Sequence, residues 1–158
     1  MSNDFSHLDD TGGISMVDVG AKRSTQREAV AVATVRMKPE TLKRLIERAL
    51  PKGDVLATAK VAGVLAAKRT PSLIPLAHPI AITSVDITFD LDPAAGTVEV
   101  HAIVRCDGKT GVEMEAMTAC AVAALTIYDM CKSAEKGIVI ETLQLMRKSG
   151  GKSGLWER

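Results

Sequence analysis

The chain has 158 residues, a length that suits one domain with a single core. Its 20 basic and 19 acidic residues leave a formal net charge of +1, which argues against the basic surface of a nucleic-acid-binding protein. With one Trp, one Tyr and two Phe, it also has little material for base stacking.

The cysteines and the apolar runs indicate the cellular compartment of the protein. The three cysteines show no C-x-x-C spacing, so they predict neither a disulfide framework nor a zinc site. No apolar run reaches the roughly 20 residues of a membrane span, and residues 1–4 lack the order of a signal peptide. We therefore expect a cytoplasmic protein that holds no metal of its own.

The chain opens with an irregular arm over residues 1–25, which is rich in Asp, Gly and Ser and shows no sustained period. This composition is typical of a disordered terminus and equally of an active-site loop. The β-branched residues between positions 28 and 37 then predict the first strand.

Two helices are predicted next. The first begins at Pro39, which suits the first position of a helix, and ends at Pro51. The second has Asp54 as its N-cap and has to end before Pro71. From Pro71 to Pro79 the repeated prolines predict a stiff loop that is neither helix nor central strand.

The second half of the chain alternates strands and a helix. Period-two alternation over 85–91 and 98–104, with a turn at 92–96, predicts a hairpin. Residues 112–132 contain no Gly or Pro and predict one long, largely buried helix. A last strand over about 138–146 leads into a flexible basic segment, about 147–158.

The predicted order is strand, two helices, two strands, helix, strand. Without the additional helix this is the split β-α-β-β-α-β, or ferredoxin-like, arrangement: a single α+β domain over 1–158, with helices on one face of an antiparallel sheet. Since Ala, Val and Ile occur on both faces of the strands, we expect a second subunit to cover the free sheet face.

Asp129 and Lys132 lie three residues apart on the long helix, so both side chains can point to one place. Two interpretations are open. The pair can be an ordinary helical salt bridge, or an acid/base pair in which burial brings the lysine pKa toward neutrality. The apolar surroundings favour the second, because an unused charge there is costly.

Glu113 and Glu115 lie in the first turn of the same helix, where negative charge complements the helix dipole. Alternatively, a carboxylate there can accept hydrogen bonds from two adjacent N–H donors, as on a guanine-like edge. Glu115 is about 21 Å from Asp129 along the helix, so the two cannot hold one small group within one subunit.

Four basic residues are candidates for binding phosphate oxygens, and each can also be a solvated surface charge: Arg27, Lys52, Lys148 and Lys152. His78, between Ala77 and Pro79, can donate to a phosphate or be a structural histidine.

Seven segments together resemble one family. They are MVDV (16–19), KGD (52–54), AAKRT (66–70), LIPLAHP (73–79), KTGVEMEA (109–116), LTIYDMCK (125–132) and KSGGKSG (148–154). With these segments the chain resembles the cyclic pyranopterin monophosphate synthase family of molybdenum cofactor biosynthesis, usually called MoaC. The likeness runs from about residue 6 to residue 154.

The resemblance implies a lyase that converts 3',8-cyclo-7,8-dihydroguanosine 5'-triphosphate into cyclic pyranopterin monophosphate and diphosphate. It implies a ferredoxin-like subunit in a hexamer, a trimer of dimers with sites at subunit interfaces. No cofactor is expected, and a Mg²⁺ ion accompanying the triphosphate is compatible with this activity. The competing class is a non-catalytic nucleotide-binding regulatory oligomer, which would need the basic loops but not the acid/base pair.

Residue roles follow from the resemblance by position. Asp129 matches the catalytic aspartate, and Lys52 and Lys132 match the essential lysines. Further positions match substrate contacts: Leu76, Ala77, His78, Met114 and Glu115, with Glu113, Arg27, Lys148 and Lys152 as additional contacts. Ala77 stands where the family commonly has cysteine, so no thiol role is expected there.

Overall fold

The computed structural model describes residues 12–158, so the first eleven residues of the predicted arm lie outside the described part. The elements are β1 (Thr25–Arg36), α1 (Pro39–Ile46), α2 (Val55–Leu73), β2 (Ile82–Asp92), β3 (Thr97–Gly108), α3 (Glu113–Cys131), β4 (Val139–Ser149) and β5 (Trp156–Glu157). Residues 12–24 precede the first strand and contain no helix.

The five strands form one sheet in the order β2-β3-β1-β4-β5, and all neighbours are antiparallel. β3 lies between β1 and β2, while β1 lies between β3 and β4, so both strand–helix–strand units are split by a third strand. The predicted α+β fold with helices on one face of an antiparallel sheet is therefore confirmed, with β5 as an addition.

Three predicted boundaries were wrong. α1 ends at Ile46 and not at Pro51. α2 continues past Pro71 to Leu73, because Pro71 costs one hydrogen bond near the helix end while the Ile74 N–H still donates to the Thr70 carbonyl oxygen at 2.9 Å. β4 continues to Ser149, which pairs with Glu28 of β1, and Trp156 folds back to pair with Lys148. The basic segment predicted as flexible thus contains strand residues.

The core lies between the sheet and α3. Alternate β1 residues point toward α3 and are fully buried, and α3 meets them with alanines and Cys120. Small residues on both sides allow the helix to lie close to the strands. By length and hydropathy alone α3 would suit a membrane span, but 56% of that apolar window is buried inside the fold, as is typical of a core helix.

α2 packs beside α3 at a glycine. A Cβ on Gly63 would overlap Ile87 Cδ1 and lie 2.9 Å from the Ala119 carbonyl oxygen. The two helices can approach this closely only because position 63 has no side chain.

The sheet face opposite the helices carries Val30 and Ile103 at its centre. Around them lie ion pairs, in which Glu28 binds both Arg105 and Arg147. This face is only partly apolar, and its predicted cover by a second subunit stays a prediction.

Candidate active site at the two ends of helix α3

A cluster of three charged residues lies at the last turn of α3. Lys132 Nζ donates to Asp129 Oδ1 at 2.6 Å, and Lys52 Nζ donates to Asp129 Oδ2 at 2.8 Å. Lys52 also donates to the Asp129 main-chain carbonyl at 2.9 Å, so it closes over the end of the helix. The three residues predicted to be catalytic are therefore in direct contact.

The two lysines change the charge state of the cluster. Hydrogen bonds from Lys132 and then Lys52 lower the pKa of Asp129 to about 2, and Asp129 in turn raises the pKa of Lys132. The three side chains are 43–54% exposed in the single chain. Burial in this subunit therefore does not lower the Lys132 pKa toward neutrality, contrary to the sequence interpretation, and the cluster carries a net positive charge.

A separate cavity of about 280 Å³ lies at the other end of α3. It is bounded by the first turn of the helix, the loop after α2, and the arm before β1. Six residues predicted to contact substrate line it: Leu76, Ala77, His78, Glu113, Met114 and Glu115. The structure thus brings together two segments that are more than thirty residues apart in sequence.

Glu115 is the buried acid of this cavity, with only 2% of its surface exposed. Burial, assisted by the nearby charge of Glu113, raises its pKa to about 7. Its Oε1 atom has no hydrogen-bond partner among the described residues. A buried carboxyl group in this state can accept from a ligand when ionised or donate to it when protonated.

His78 is held by the arm. Its Nε2 lies 2.8 Å from the Val17 carbonyl oxygen, which can only accept, so Nε2 carries a proton and donates. Lys109 Nζ binds the Gly20 carbonyl oxygen at 2.7 Å and fixes the same arm from the other side. Val17, Val19 and Lys22 consequently line the cavity.

A wider cavity of about 790 Å³ adjoins the first and shares Lys22, Thr110, Gly111 and Glu113 with it. Its lining is strongly basic and includes the predicted phosphate-binding residues Arg27, Lys148 and Lys152 with Lys22, Arg23 and Lys109, which the sequence did not single out. Lys148 forms an ion pair with Glu113 at 2.9 Å.

The two ends of the helix are remote from each other in one chain. Fourteen residues separate Glu115 from Asp129, or about 21 Å of helix. Lys52 is thus the one predicted phosphate-binding residue that the structure places away from the basic cavity, beside Asp129.

Three ligand-type side chains also meet on the free sheet face. His101 Nε2 lies 3.1 Å from Asp90 Oδ2 and 3.5 Å from Glu99 Oε2, a grouping hidden in the sequence because the residues come from two paired strands. Both carboxylates are largely exposed, and we assign no metal site to this grouping, because exposed acidic groups often meet without binding a metal ion.

Sequence comparison with known proteins identifies the family of this chain. The sequence model of the MoaC family matches residues 16–151. A protein of Roseiflexus sp. (strain RS-1), named cyclic pyranopterin monophosphate synthase, is 59% identical over 152 residues, or 96% of each chain. Proteins with the same name from Geobacter sulfurreducens and Thermoanaerobacter pseudethanolicus are 58% and 53% identical, over 98% of this chain and 96% and 98% of their own.

Proposed function

Since the chain belongs to the MoaC family, we propose that it is a cyclic pyranopterin monophosphate synthase, a lyase of molybdenum cofactor biosynthesis that works in the cytoplasm. Its substrate is 3',8-cyclo-7,8-dihydroguanosine 5'-triphosphate, and its products are cyclic pyranopterin monophosphate and diphosphate. The observation that carries this proposal is the pair of joined cavities, with a buried carboxyl group in one and a basic lining in the other.

The joined cavities suit a purine-derived base that carries a triphosphate. Glu115 can accept hydrogen bonds from the two adjacent N–H donors of a guanine-type ring. Lys148 and Lys152 lie in the adjoining cavity, where ammonium groups can bind phosphate oxygens. We propose that the reaction requires no cofactor and that a Mg²⁺ ion can accompany the triphosphate as part of the substrate.

The charge cluster supplies acid/base groups. One of Lys52 and Lys132, held by Asp129, gives a proton to the leaving nitrogen as the purine-derived ring opens, and the other assists reclosure to the pterin. A sugar oxygen then attacks the α-phosphorus, the bond to the diphosphate breaks, and nearby cations stabilise the negative charge that leaves.

These groups need two subunits to meet. Residue 122 is midway between Glu115 and Asp129 on α3, so a two-fold axis near this point and perpendicular to the helix would bring Asp129 of one subunit beside Glu115 of the other. The outer side of the helices suits such contact, because Val61 of α2 and Leu125 of α3 are 61% and 56% exposed. We propose a homo-oligomer assembled in this way, a hexamer built as a trimer of dimers.

The test is turnover of the cyclised GTP intermediate, followed by diphosphate release and by a fluorescent pterin derivative. The variants Lys52→Ala, Asp129→Asn and Lys132→Ala should each lose activity by at least about 100-fold. Their thermal midpoints should shift by no more than about 3 °C, because the cluster is exposed.

Lys60→Ala is the matched control, since Lys60 forms an exposed ion pair with Asp86 away from both ends of α3. It should retain activity. Full activity in all three cluster variants would contradict the acid/base assignment. Binding of the intermediate by the unaltered protein without any turnover would favour the regulatory alternative.

A further inference from the structure

Arg27 lies in the basic cavity, but its guanidinium group is occupied by the protein's own main chain. Nε donates to the Gly108 carbonyl oxygen at 3.3 Å and Nη2 to that of Lys109 at 3.3 Å. Nη1 donates to the carbonyl oxygen of Gly150 at 3.5 Å. One side chain of β1 therefore connects the loop before α3 to the turn after β4.

The turn after β4 is shaped around this side chain. Gly150 and Gly151 have φ angles of +98° and +71°, which L side chains rarely adopt. A Cβ on Gly150 would overlap the Gln26 carbonyl oxygen and lie 3.0 Å from Arg27 Cδ, whereas a Cβ on Gly151 would overlap Arg27 Nη1. The backbone of β1 therefore requires glycine at position 150 whatever Arg27 does, and the Arg27 guanidinium requires it at position 151.

The connected loop leads directly into the substrate cavity. It continues through Thr110 and Gly111 to the first turn of α3, where Glu113 and Glu115 begin the helix. Glu113 is tied to the other segment as well, through its ion pair with Lys148 of β4. The position of the cavity wall consequently depends on how the loop and the turn are held together.

We propose that Arg27 is a positioning residue, which holds the 108–111 loop against the 150–151 turn and so fixes the first turn of α3 for binding the base. This inference rests on the proposed function for its effect on turnover. It assigns Arg27 a different role from a direct phosphate contact, because three of its five N–H groups donate to carbonyl oxygens. The planar guanidinium can make all three bonds at once, which a lysine ammonium on a different stem cannot reproduce.

The first measurement needs no substrate. Amide hydrogen exchange of the ligand-free protein, read on peptides covering 109–115 and 150–154, should be at least about tenfold faster in Arg27→Ala and in Arg27→Lys. Gly151→Ala should give the same pattern with Arg27 present, because the new methyl group displaces the guanidinium. Gly154→Ala is its matched control, since Gly154 also has a positive φ of +62° but open space around its Cβ position.

The second measurement separates positioning from charge. Arg27→Ala should raise KM for the cyclised GTP intermediate at least about tenfold and leave kcat within about twofold, because Arg27 holds the wall that binds the base and contacts none of the acid/base groups. Lys152→Ala removes a charge from the same cavity, whose lining includes Lys152. It should weaken inorganic diphosphate binding without changing exchange.

Two results would overturn the inference. Unchanged exchange in Arg27→Ala, together with weaker diphosphate binding that Arg27→Lys restores, would make Arg27 a direct phosphate contact. A fall in kcat at unchanged KM, with lower thermal stability, would make its role merely structural. If the unaltered protein shows no turnover at all, the proposed function fails, while the exchange experiment still decides the role of Arg27.

Discussion

Glu115 has surroundings that differ strongly from those of a free glutamate side chain. It is buried at the start of α3, and its pKa of about 7 lies above the ordinary value of 4.5. In the unfolded chain it ionises near pH 4.5, whereas in the folded chain it stays protonated until about pH 7. Unfolding therefore releases a proton within this window, and rising pH favours the unfolded state.

We expect the free energy of unfolding to fall between pH 4.5 and 7 by a contribution that Glu115→Gln removes. From pH 5 to pH 8, the free energy of unfolding of the variant should rise by roughly 2 kcal/mol relative to that of the unaltered protein. Urea denaturation of both proteins at the two pH values measures this difference. Parallel pH profiles for the two proteins would show that Glu115 does not titrate in this range.

The sequence predicts only some of the contacts in the candidate site. The three-residue spacing of Asp129 and Lys132 indicated their contact directly, because the helix fixes it. Lys52 reaches the same carboxylate from 77 positions away, and no local pattern indicates such a contact. Lys22 and Lys109 were missed for the same reason, since the arm that brings Lys22 to the cavity has no period to read.

Among the elements, the contact between α2 and α3 is where helix propensity and packing favour different residues. Gly63 lies inside α2, where alanine would favour the helix by about 1 kcal/mol. The neighbouring Ala119 carbonyl oxygen belongs to the backbone of α3 and cannot rotate away. We therefore expect packing to decide whether a substitution at this position raises or lowers the free energy of unfolding.

Gly63→Ala should lower the free energy of unfolding by about 1–3 kcal/mol, because the added methyl group forces the helices apart. The exposed Lys68→Ala, on the same helix, serves as the control and should change stability by less than about 0.5 kcal/mol. Denaturant unfolding of the two variants measures both effects. A more stable Gly63→Ala variant would mean that the helices have room to adjust.

Element types could be predicted wherever the apolar pattern is strong. The hairpin of β2 and β3 followed from clean alternation, and α3 from a long stretch without Gly or Pro. The end of α2 could not be placed, since a proline near a helix end weakens the helix without fixing its last residue. The extension of β4 depends on pairing with β1, which is a tertiary contact.

At the scale of the whole molecule, the proposed active site takes groups from two subunits. The proposed two-fold arrangement makes a quantitative prediction for mixed oligomers. Glu115→Ala and Asp129→Asn should each be inactive alone, because every site lacks one group. In a mixed dimer one site carries both changes and the other carries neither.

Mixing the two inactive proteins, with exchange of subunits, should therefore restore up to about a quarter of the unaltered activity, since half of the dimers are mixed and half of their sites are intact. Diphosphate release after unfolding and refolding the mixture measures it. Refolding each variant alone is the control. No recovery, in mixtures shown to contain mixed dimers, would contradict a site shared between two subunits.

The central position of β1 has a consequence for synthesis on the ribosome. β1 is the first strand made, yet its two neighbours are β3 and β4, which begin at residues 97 and 139. A growing chain therefore carries a Val- and Ala-rich strand with two open edges, and the second edge closes only when β4 has emerged. Open edges of this kind invite pairing with other chains. Chaperone protection during translation should matter more for this chain than its small size suggests.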